Sequence, residues 1–326
     1  MSLSFTQYWP KLLEKIRIAD ELQNKVDDIA AELETFLKAN LTRKICVHPF
    51  GSRVLGIAQE TSDLDIYVEF DDSFYDYKKY TNWEDSERQK MISKVFDSQS
   101  KWICIENRGG NCPLVIIKNK HTNLQYDLSF TNCYAYSQNK IVIYLFKLQP
   151  IARYMMIYLR DWIKMHGLHL RFRNHLLLLM LIFHLQIRDE LPSIEKLQEN
   201  LSPRSGPYIY HFNELHQNEI PYAIPLTEYN VQAKLKEFFK FYSSFRFEKY
   251  AICPYLGRYI ERSMLKLSMP KRYQMTDRDG KFTRFPVAIQ DFINLNYNKA
   301  WQIRHMDLSK FINISASERV ERIAHN

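Results

Sequence analysis

Apolar residues near the start of the chain recur at a spacing that is typical of an amphipathic helix. Within residues 10–38 they stand three or four positions apart, at Leu13, Ile16, Ala19, Leu22, Val26, Ile29, Leu33 and Phe36. This spacing places side chains on one face of a helix. The pattern therefore predicts one continuous helix over residues 10–38.

Alternation of apolar and polar residues predicts two strands further along the chain. In residues 63–70, one face carries Leu64, Ile66, Val68 and Phe70, and the other carries Asp63, Asp65, Tyr67 and Glu69. In residues 124–130, Leu124, Tyr126, Leu128 and Phe130 alternate with Gln125, Asp127 and Ser129. Strand character is also present at 44–50, 101–106 and 113–118, and a polar helix is predicted at 83–98. Strands with covering helices predict an α/β or α+β domain that ends near residue 146.

The rest of the chain has a helical pattern. Helices are predicted at 148–166, 173–189, 230–245 and 304–323, whereas residues 190–228 contain five prolines and are predicted to be irregular. The pattern as a whole therefore predicts a strand-containing domain up to about residue 146, followed by a helical region.

Composition narrows the class of protein only a little. The chain has 326 residues, which favours two domains, and its formal net charge of +8 permits a nucleic-acid partner. Its five cysteines form no CxxC pair, which argues against a disulfide framework and a zinc ribbon. The longest apolar run, 176–183, is too short to span a bilayer, and no signal-peptide pattern is present. We therefore expect a cytoplasmic protein with no membrane partner.

The candidate chemistry lies in three aspartates. Asp63 and Asp65 are two positions apart on a strand, so their carboxylates point to the same side and can share hard cations. Asp127 is the candidate for a third carboxylate, because the apolar residues around it would anchor its strand in the core. Three carboxylates around two Mg²⁺ ions suit in-line displacement at phosphorus. The competing interpretation is a solvated outer face, which a bare Asp-x-Asp usually is.

Gly51 and Ser52 precede this pair and supply the complementary feature. Glycine lets the backbone approach a phosphate, and the amides at the start of the following helical turn can bind it. Together with the alternation and the third aspartate, this motif favours phosphoryl-transfer chemistry over a solvated face.

Three stretches of the sequence resemble a known family. These are FGSRVLGIAQETSDLDI at 50–66, YDLSFTN at 126–132 and IQDF at 289–292. They are similar to motifs of the noncanonical poly(A) polymerases and terminal uridylyltransferases, which are DNA-polymerase-β-like nucleotidyltransferases. The resemblance implies a catalytic nucleotidyltransferase domain with a mixed sheet at 40–146 and a helical central, PAP-associated domain at 147–326, preceded by the N-terminal segment 1–39. The N-terminal helix would pack on the central domain, and the nucleotide would lie in the cleft between the domains.

The resemblance also implies roles for individual residues. Asp63, Asp65 and Asp127 would hold Mg²⁺ or Mn²⁺, and Gly51 and Ser52 would contact the triphosphate of the substrate UTP. Asn139 would lie near the ribose, Arg160 and Lys164 would grip the β- and γ-phosphates, and Asp291 would belong to the nucleotide-recognition motif. Asn132 and Arg108 would contact the RNA. The ordinary alternatives are an exposed basic helix face for Arg160 and Lys164, and a plain loop arginine for Arg108.

Two departures from the family pattern concern the base. Arg173 and Asn174 stand where uridylyltransferases often have a Ser-Tyr pair, so the usual stacking tyrosine is missing there or comes from elsewhere. Tyr297 stands where many have a histidine that favours UTP over ATP. A tyrosine could exclude a purine by its bulk and bond uracil through its hydroxyl, although it could also be a packing residue.

Four functions remain in competition at this point. The first is RNA 3′-terminal uridylyl transfer, and the second is poly(A) polymerisation with ATP as donor. The others are an inactive RNA-binding module, against which the three intact aspartates argue, and a small-molecule nucleotidyltransferase. The expected partners are RNA 3′ ends and UTP, on a monomeric core. A resemblance to a uridylyltransferase further implies a 3′–5′ exoribonuclease that degrades uridylated RNA.

Overall fold

The computed structural model of the chain describes residues 4–73, 82–97, 101–110, 113–130, 133–204, 208–271 and 282–320. It divides into two compact units. The first, here called the sheet unit, comprises Leu13–Ile143 with Pro203–Gly206. The second, the helical unit, comprises Met1–Leu12, Tyr144–Ser202 and Pro207–Asn326. The N-terminal segment 1–39 is therefore divided between the two units.

The N-terminal segment forms two helices, so the prediction of one continuous helix is wrong. Helix α1 spans Phe5–Gln23 and α2 spans Val26–Asn40, with a turn between them. The buried positions nevertheless keep a spacing of three or four residues within each helix and of seven, or two helical turns, across the break, at Leu12, Ile16, Ala19, Val26, Ala30, Leu33 and Leu37. Periodicity alone cannot reveal a break that leaves the apolar spacing unchanged.

Five strands form the mixed sheet that the alternation predicts. They are β1 (Ile45–Phe50), β2 (Leu64–Phe70), β3 (Trp102–Arg108), β4 (Leu114–Asn119) and β5 (Gln125–Ser129), with α3 (Asn82–Asp97) between β2 and β3. The strand order is β1-β2-β5-β4-β3. Only β2 and β5 pair in parallel, at the centre of the sheet, and the other neighbours are antiparallel.

The core of the sheet unit lies on the apolar side of these strands. Helix α2 contributes Leu33 and Leu37, and α3 contributes Ile92 and Phe96, to a cluster that includes Leu64, Ile66, Val68, Phe70, Tyr126, Leu128 and Phe130. The predicted inward face of β2 and the anchoring of the Asp127 strand are thereby confirmed. The opposite side of β2 and β5 is left for polar residues.

The helical unit contains the remaining elements. They are the end of α4 (Tyr134–Leu148), then α5 (Ile151–Met165), α6 (Asn174–Gln186), α7 (Ile194–Leu197), α8 (Glu228–Ser244), the short strands β6 (Tyr250–Ala251) and β7 (Ile260–Glu261), and α9 (His305–Val320). Helix α6 is buried on all sides from Leu176 to Gln186, which explains its unbroken apolar sequence. Helix α4 had not been predicted, because its run Ile141–Phe146 is rich in β-branched and aromatic residues.

No helix in the described part of the chain is both long enough and apolar enough to cross a membrane.

Candidate functional site

Strand pairing brings the predicted carboxylates together. In the parallel ladder between β2 and β5, Asp65 lies directly opposite Asp127. Paired residues on adjacent strands point to the same side of a sheet. Asp63 directly precedes β2, and its charge acts on both Asp65 and Asp127, so it lies close to that pair. All three aspartates are partly exposed on the side of the sheet opposite its apolar core.

The electrostatics of the pair reflect this crowding. Burial, together with the neighbouring charges of Asp63 and Asp127, raises the pKa of Asp65 to about 7. Burial also raises the pKa of Asp127, while a hydrogen bond donated by Gln125 Nε2 to Asp127 Oδ1, 2.9 Å long, opposes the rise. Carboxylates that resist ionisation in this way are stabilised by a nearby cation.

Gly51 lies against Asp65 in a way that only glycine permits. Its φ angle is +84°, and a Cβ added there would lie 1.9 Å from Asp65 Oδ2. Asn139 Nδ2 donates a 3.2 Å hydrogen bond to the Gly51 carbonyl oxygen. The predicted residues Gly51, Asp65 and Asn139 are thus contiguous, and Asn139 supports the glycine turn, a contact that the sequence had not suggested.

The donor set fits hard divalent cations. Carboxylate oxygens are the preferred ligands of Mg²⁺ and Mn²⁺, and Asp63, Asp65 and Asp127 offer three carboxylates on one side of the sheet. Within the described residues, no three His, Cys, Asp or Glu side chains are already arranged as a complete metal cage. Like-charged carboxylates repel one another, so we expect these three to converge only around a bound cation.

Mn²⁺ is expected to raise the melting temperature of the wild-type protein, and to raise it more at about pH 8 than at about pH 6. Asp65 has a pKa of about 7 in the folded protein, against an ordinary value of 3.8. The folded state thus holds the proton more tightly, and metal-free stability falls as pH rises across that window. Mn²⁺ should offset this loss, because it replaces the proton on the carboxylate.

Differential scanning fluorimetry with the variant Asp65→Asn checks this expectation. The variant should melt at a higher temperature than the wild type without metal and should respond less to Mn²⁺. Asp72→Asn is the matched control, since Asp72 pairs with Lys44 on the surface. An equal Mn²⁺ shift in Asp65→Asn would exclude Asp65 as a ligand.

Of the two residues predicted to contact RNA, only Arg108 lies in the described part of the chain. Arg108 is exposed at the end of the edge strand β3 and forms an ion pair with Glu106, with 3.0 Å between Nη2 and Oε2. Its charge acts favourably on Asp127, so it lies within electrostatic reach of the carboxylates. Asn132 lies outside the described residues.

In the helical unit, α5 carries the predicted phosphate-binding pair. Trp162 is buried between Arg160 and Lys164, so the two basic side chains share the outer side of the helix as their spacing predicted. Arg160 is half-buried and Lys164 is exposed.

Asp291 lies within electrostatic reach of the start of α6, where Arg173 and Asn174 stand. Arg173 is the N-cap of α6 and Asn174 its first residue, and both are exposed. The surrounding protein, together with the positive charges of Lys299 and Arg173, lowers the pKa of the next residue, His175, to about 4, and the charge of Asp291 acts against this lowering. Parts of the sequence that are far apart are therefore neighbours here.

Asp291 itself is engaged within the protein. It is 2% exposed, and its Oδ2 forms an ion pair with Lys299 Nζ at a distance of 2.7 Å. Its Oδ1 accepts hydrogen bonds from the backbone N–H groups of Ile293 and Asn294, at 2.7 and 2.8 Å. In this structure Asp291 organises the turn that leads to Tyr297.

Tyr297 is 37% exposed, which is more than a packing residue needs. Its hydroxyl oxygen accepts a 3.0 Å hydrogen bond from Trp301 Nε1, and Lys299 Nζ lies 5.2 Å from the centre of its ring. Since an indole N–H can only donate, the phenolic hydrogen of Tyr297 is free to donate elsewhere.

Five residues beside the candidate site residues are not indicated by the sequence motifs. They are Arg53, Gln125, His175, Lys299 and Trp301. Two of them carried a usable signal: Gln125 stands two positions before Asp127 on the same side of β5, and Trp301 stands four positions after Tyr297. The contacts of the others depend on turns and chain crossings that have no local pattern.

Comparison with known proteins identifies two matching family models and several similar structures. Residues 5–147 match the family model described as "Poly(A) RNA polymerase, mitochondrial-like, central palm domain", and residues 234–296 match "Cid1 family poly A polymerase". The crystal structure of mtPAP in complex with ATPγS superposes with a TM-score of 0.72 at 21% identity, over 98% of this chain and 68% of that one. Terminal uridylyl transferase 4 from Trypanosoma brucei, with bound GTP, gives 0.69 at 16% identity, over 91% and 90%.

The fold is that of a polymerase-β-like nucleotidyltransferase with a PAP-associated domain. The chain belongs to the noncanonical poly(A) polymerase and terminal uridylyltransferase family. The mouse protein named "Poly(A) RNA polymerase, mitochondrial" is 22% identical over 335 residues, which cover 93% of this chain and 52% of the mouse protein. The chain thus spans about half the length of the curated relatives that it matches.

Proposed function

We propose that the chain adds nucleotides to RNA 3′ ends without a template, with UTP as the preferred donor. The observation that carries the proposal is the pairing of Asp65 with Asp127, with Asp63 on the same side and the Gly51 turn against Asp65. This combination places a carboxylate cluster beside a glycine turn whose backbone can approach a phosphate closely. It suits phosphoryl transfer better than it suits an inactive scaffold.

The residues take separate roles in this proposal. Asp63, Asp65 and Asp127 would hold Mg²⁺ or Mn²⁺, which when bound supplies charge stabilisation for transfer at phosphorus. Ser52 and the backbone amides of its turn would bind the triphosphate, and Asn139 would keep that turn in place through Gly51. Arg160 and Lys164 offer charge-assisted donors for the outer phosphates.

Tyr297 is the feature that favours UTP. With its oxygen accepting from Trp301, its hydroxyl hydrogen can donate. A donor is complementary to a keto oxygen of uracil and not to the exocyclic amino group of adenine. The ring would also shorten the pocket at its base end and so disfavour a purine.

ATP is the second candidate donor, and the comparisons supply the reason. The curated relatives are named poly(A) RNA polymerases, and the fold is shared with a uridylyl transferase. Structures of mtPAP hold ATPγS, GTP, UTP and CTP. Similarity of fold therefore does not choose between the two donors.

Extension of a labelled RNA with Mg²⁺ and each nucleotide in turn tests the proposal. Addition of uridines well above the other nucleotides supports it. A preference for ATP would replace uridylyl transfer by poly(A) polymerisation. Absence of any extension with Mg²⁺ or Mn²⁺ would favour the inactive RNA-binding module.

Tyr297→Ala is expected to raise kcat/KM for ATP more than it lowers kcat/KM for UTP, because it opens space as well as deleting a contact. Tyr297→Phe keeps the bulk and loses only the hydroxyl, so it should cost UTP no more than about tenfold, the value of one neutral hydrogen bond. Kinetics on one RNA with both nucleotides measure these ratios. A ratio of UTP to ATP that stays unchanged in Tyr297→Ala would make Tyr297 a packing residue.

The cellular setting follows from the activity and stays a prediction. An exoribonuclease that acts on uridylated RNA would be a partner only of a uridylyl transferase. The expected cytoplasmic location contrasts with the mitochondrial name of the curated relatives.

A further inference from the structure

Arg53 is a buried cation inside the candidate site. It follows Ser52 directly and is only 5% exposed. Its Nε donates to the carbonyl oxygens of Ser62 at 2.9 Å and Asp63 at 3.2 Å. Its Nη2 donates to the carbonyl oxygens of Ser62 at 2.6 Å and Glu60 at 3.4 Å. One guanidinium therefore holds the backbone that leads into β2.

This contact joins the two halves of the site. The turn after β1 is closed by backbone hydrogen bonds from Leu55 to Gly51 and from Ile57 to Ser52, at 3.1 and 3.0 Å. Arg53 lies within that turn, and its side chain reaches across to residues 60–63. The glycine turn and the carboxylate loop are thus connected by the rigid fork of one side chain.

Asp63 needs such a support more than Asp65 does. Asp65 is held by the sheet on both sides, opposite Phe50 on β1 and Asp127 on β5. The ladder with β5 begins at Leu64, so Asp63 lies before its first paired residue. Within the described contacts of this loop, the Arg53 side chain supplies the restraint that strand pairing gives to Asp65.

We propose that Arg53 is a positioning residue that sets the place of the Asp63 carboxylate relative to the Gly51–Ser52 turn. It acts through its hydrogen bonds to the backbone of residues 60–63 and touches neither nucleotide nor RNA. The proposal rests on the proposed function, because it assigns Asp63 to the metal-binding set. The positive charge of Arg53 also interacts with Asp63, so the experiment must separate the effect of the hydrogen bonds from the effect of the charge.

Two substitutions make this separation. Arg53→Lys keeps the positive charge but cannot reproduce the fork of hydrogen bonds, and Arg53→Met keeps much of the volume without the charge. Arg17→Lys is the matched control, because Arg17 forms exposed ion pairs with Glu14 and Glu21 on α1. Melting temperatures establish which variants fold. If Arg53→Met does not fold, Arg53→Lys alone tests the proposal.

Amide hydrogen exchange of the metal-free 326-residue chain is the first measurement. Exchange at residues 59–63 should become faster in Arg53→Lys than in the wild type and Arg17→Lys. Electron paramagnetic resonance should then show Mn²⁺ affinity weakened by about tenfold or more, as is usual when the support of a metal ligand is lost. In RNA extension, kcat should fall with little change in KM for RNA, and higher Mn²⁺ should restore part of the rate.

Unchanged exchange and unchanged Mn²⁺ affinity in Arg53→Lys would overturn the proposal. Loss of Mn²⁺ affinity in Arg53→Met alone would also overturn it, since charge would then be the cause. Exchange and Mn²⁺ binding need neither RNA nor nucleotide. They therefore test Arg53 even if the wild-type protein extends no RNA, a result that would refute only the proposed function.

Discussion

Replacing Asp127 by asparagine is expected to abolish nucleotide transfer while leaving the fold and RNA binding nearly intact. Asparagine has the same shape and can still accept the hydrogen bond from Gln125, so the local packing should survive. The substitution removes the negative charge opposite Asp65 and with it a strong ligand for a divalent cation. The rate should fall on the order of a thousandfold, the scale of losing one essential electrostatic group.

Single-turnover extension of a labelled RNA measures this loss, and a filter-binding assay measures RNA affinity in parallel. Asp72→Asn is the matched control, because Asp72 pairs with Lys44 away from the carboxylates and should keep most of the wild-type rate. Loss of an essential group costs more than about tenfold in rate. If Asp127→Asn keeps more than about a tenth of the wild-type rate, Asp127 is not part of the site.

Gly51→Ala is expected to reduce transfer on the order of a hundredfold, through the position of Asp65. The added Cβ would come within 1.9 Å of Asp65 Oδ2, so the carboxylate or the turn must move. A displacement of about 1 Å at a reacting centre can cost this much. The positive φ angle adds a conformational cost of about 1–3 kcal/mol to folding.

A second glycine separates the two effects. Gly167 has a φ of +67°, and a Cβ there would meet only the flexible end of Lys310 at 3.8 Å. Gly167→Ala should therefore lower the melting temperature without a comparable loss of rate. If both alanine variants lose the same fraction of activity for each degree by which the melting temperature falls, the contact between Gly51 and Asp65 has no catalytic importance.

The sequence alone located the candidate carboxylate site, because the placement of its residues follows a local rule. Two aspartates two positions apart on an alternating strand must share a side of the sheet, and the apolar neighbours of Asp127 must face the core. The structure confirms both inferences. Even so, the polar side of β2 is not uniformly open: Glu69 is 7% exposed and bonded to His48, whose ring lies 4.9 Å from that of Tyr136. Local alternation cannot indicate which residues a later helix will cover.

By itself, the sequence determined where the strands lie, which residues of an alternating strand share a side of the sheet, and which motifs relate the chain to its family. Tertiary structure alone decided that Asp127 pairs with Asp65, that the N-terminal helix breaks after Gln23, and that Arg53 supports the loop carrying Asp63. It also decided that Trp301 orients the Tyr297 hydroxyl. The physical reason is common to all of these. Periodicity records which side of an element is buried, whereas strand register, turns and side-chain hydrogen bonds depend on contacts between segments that no local pattern specifies.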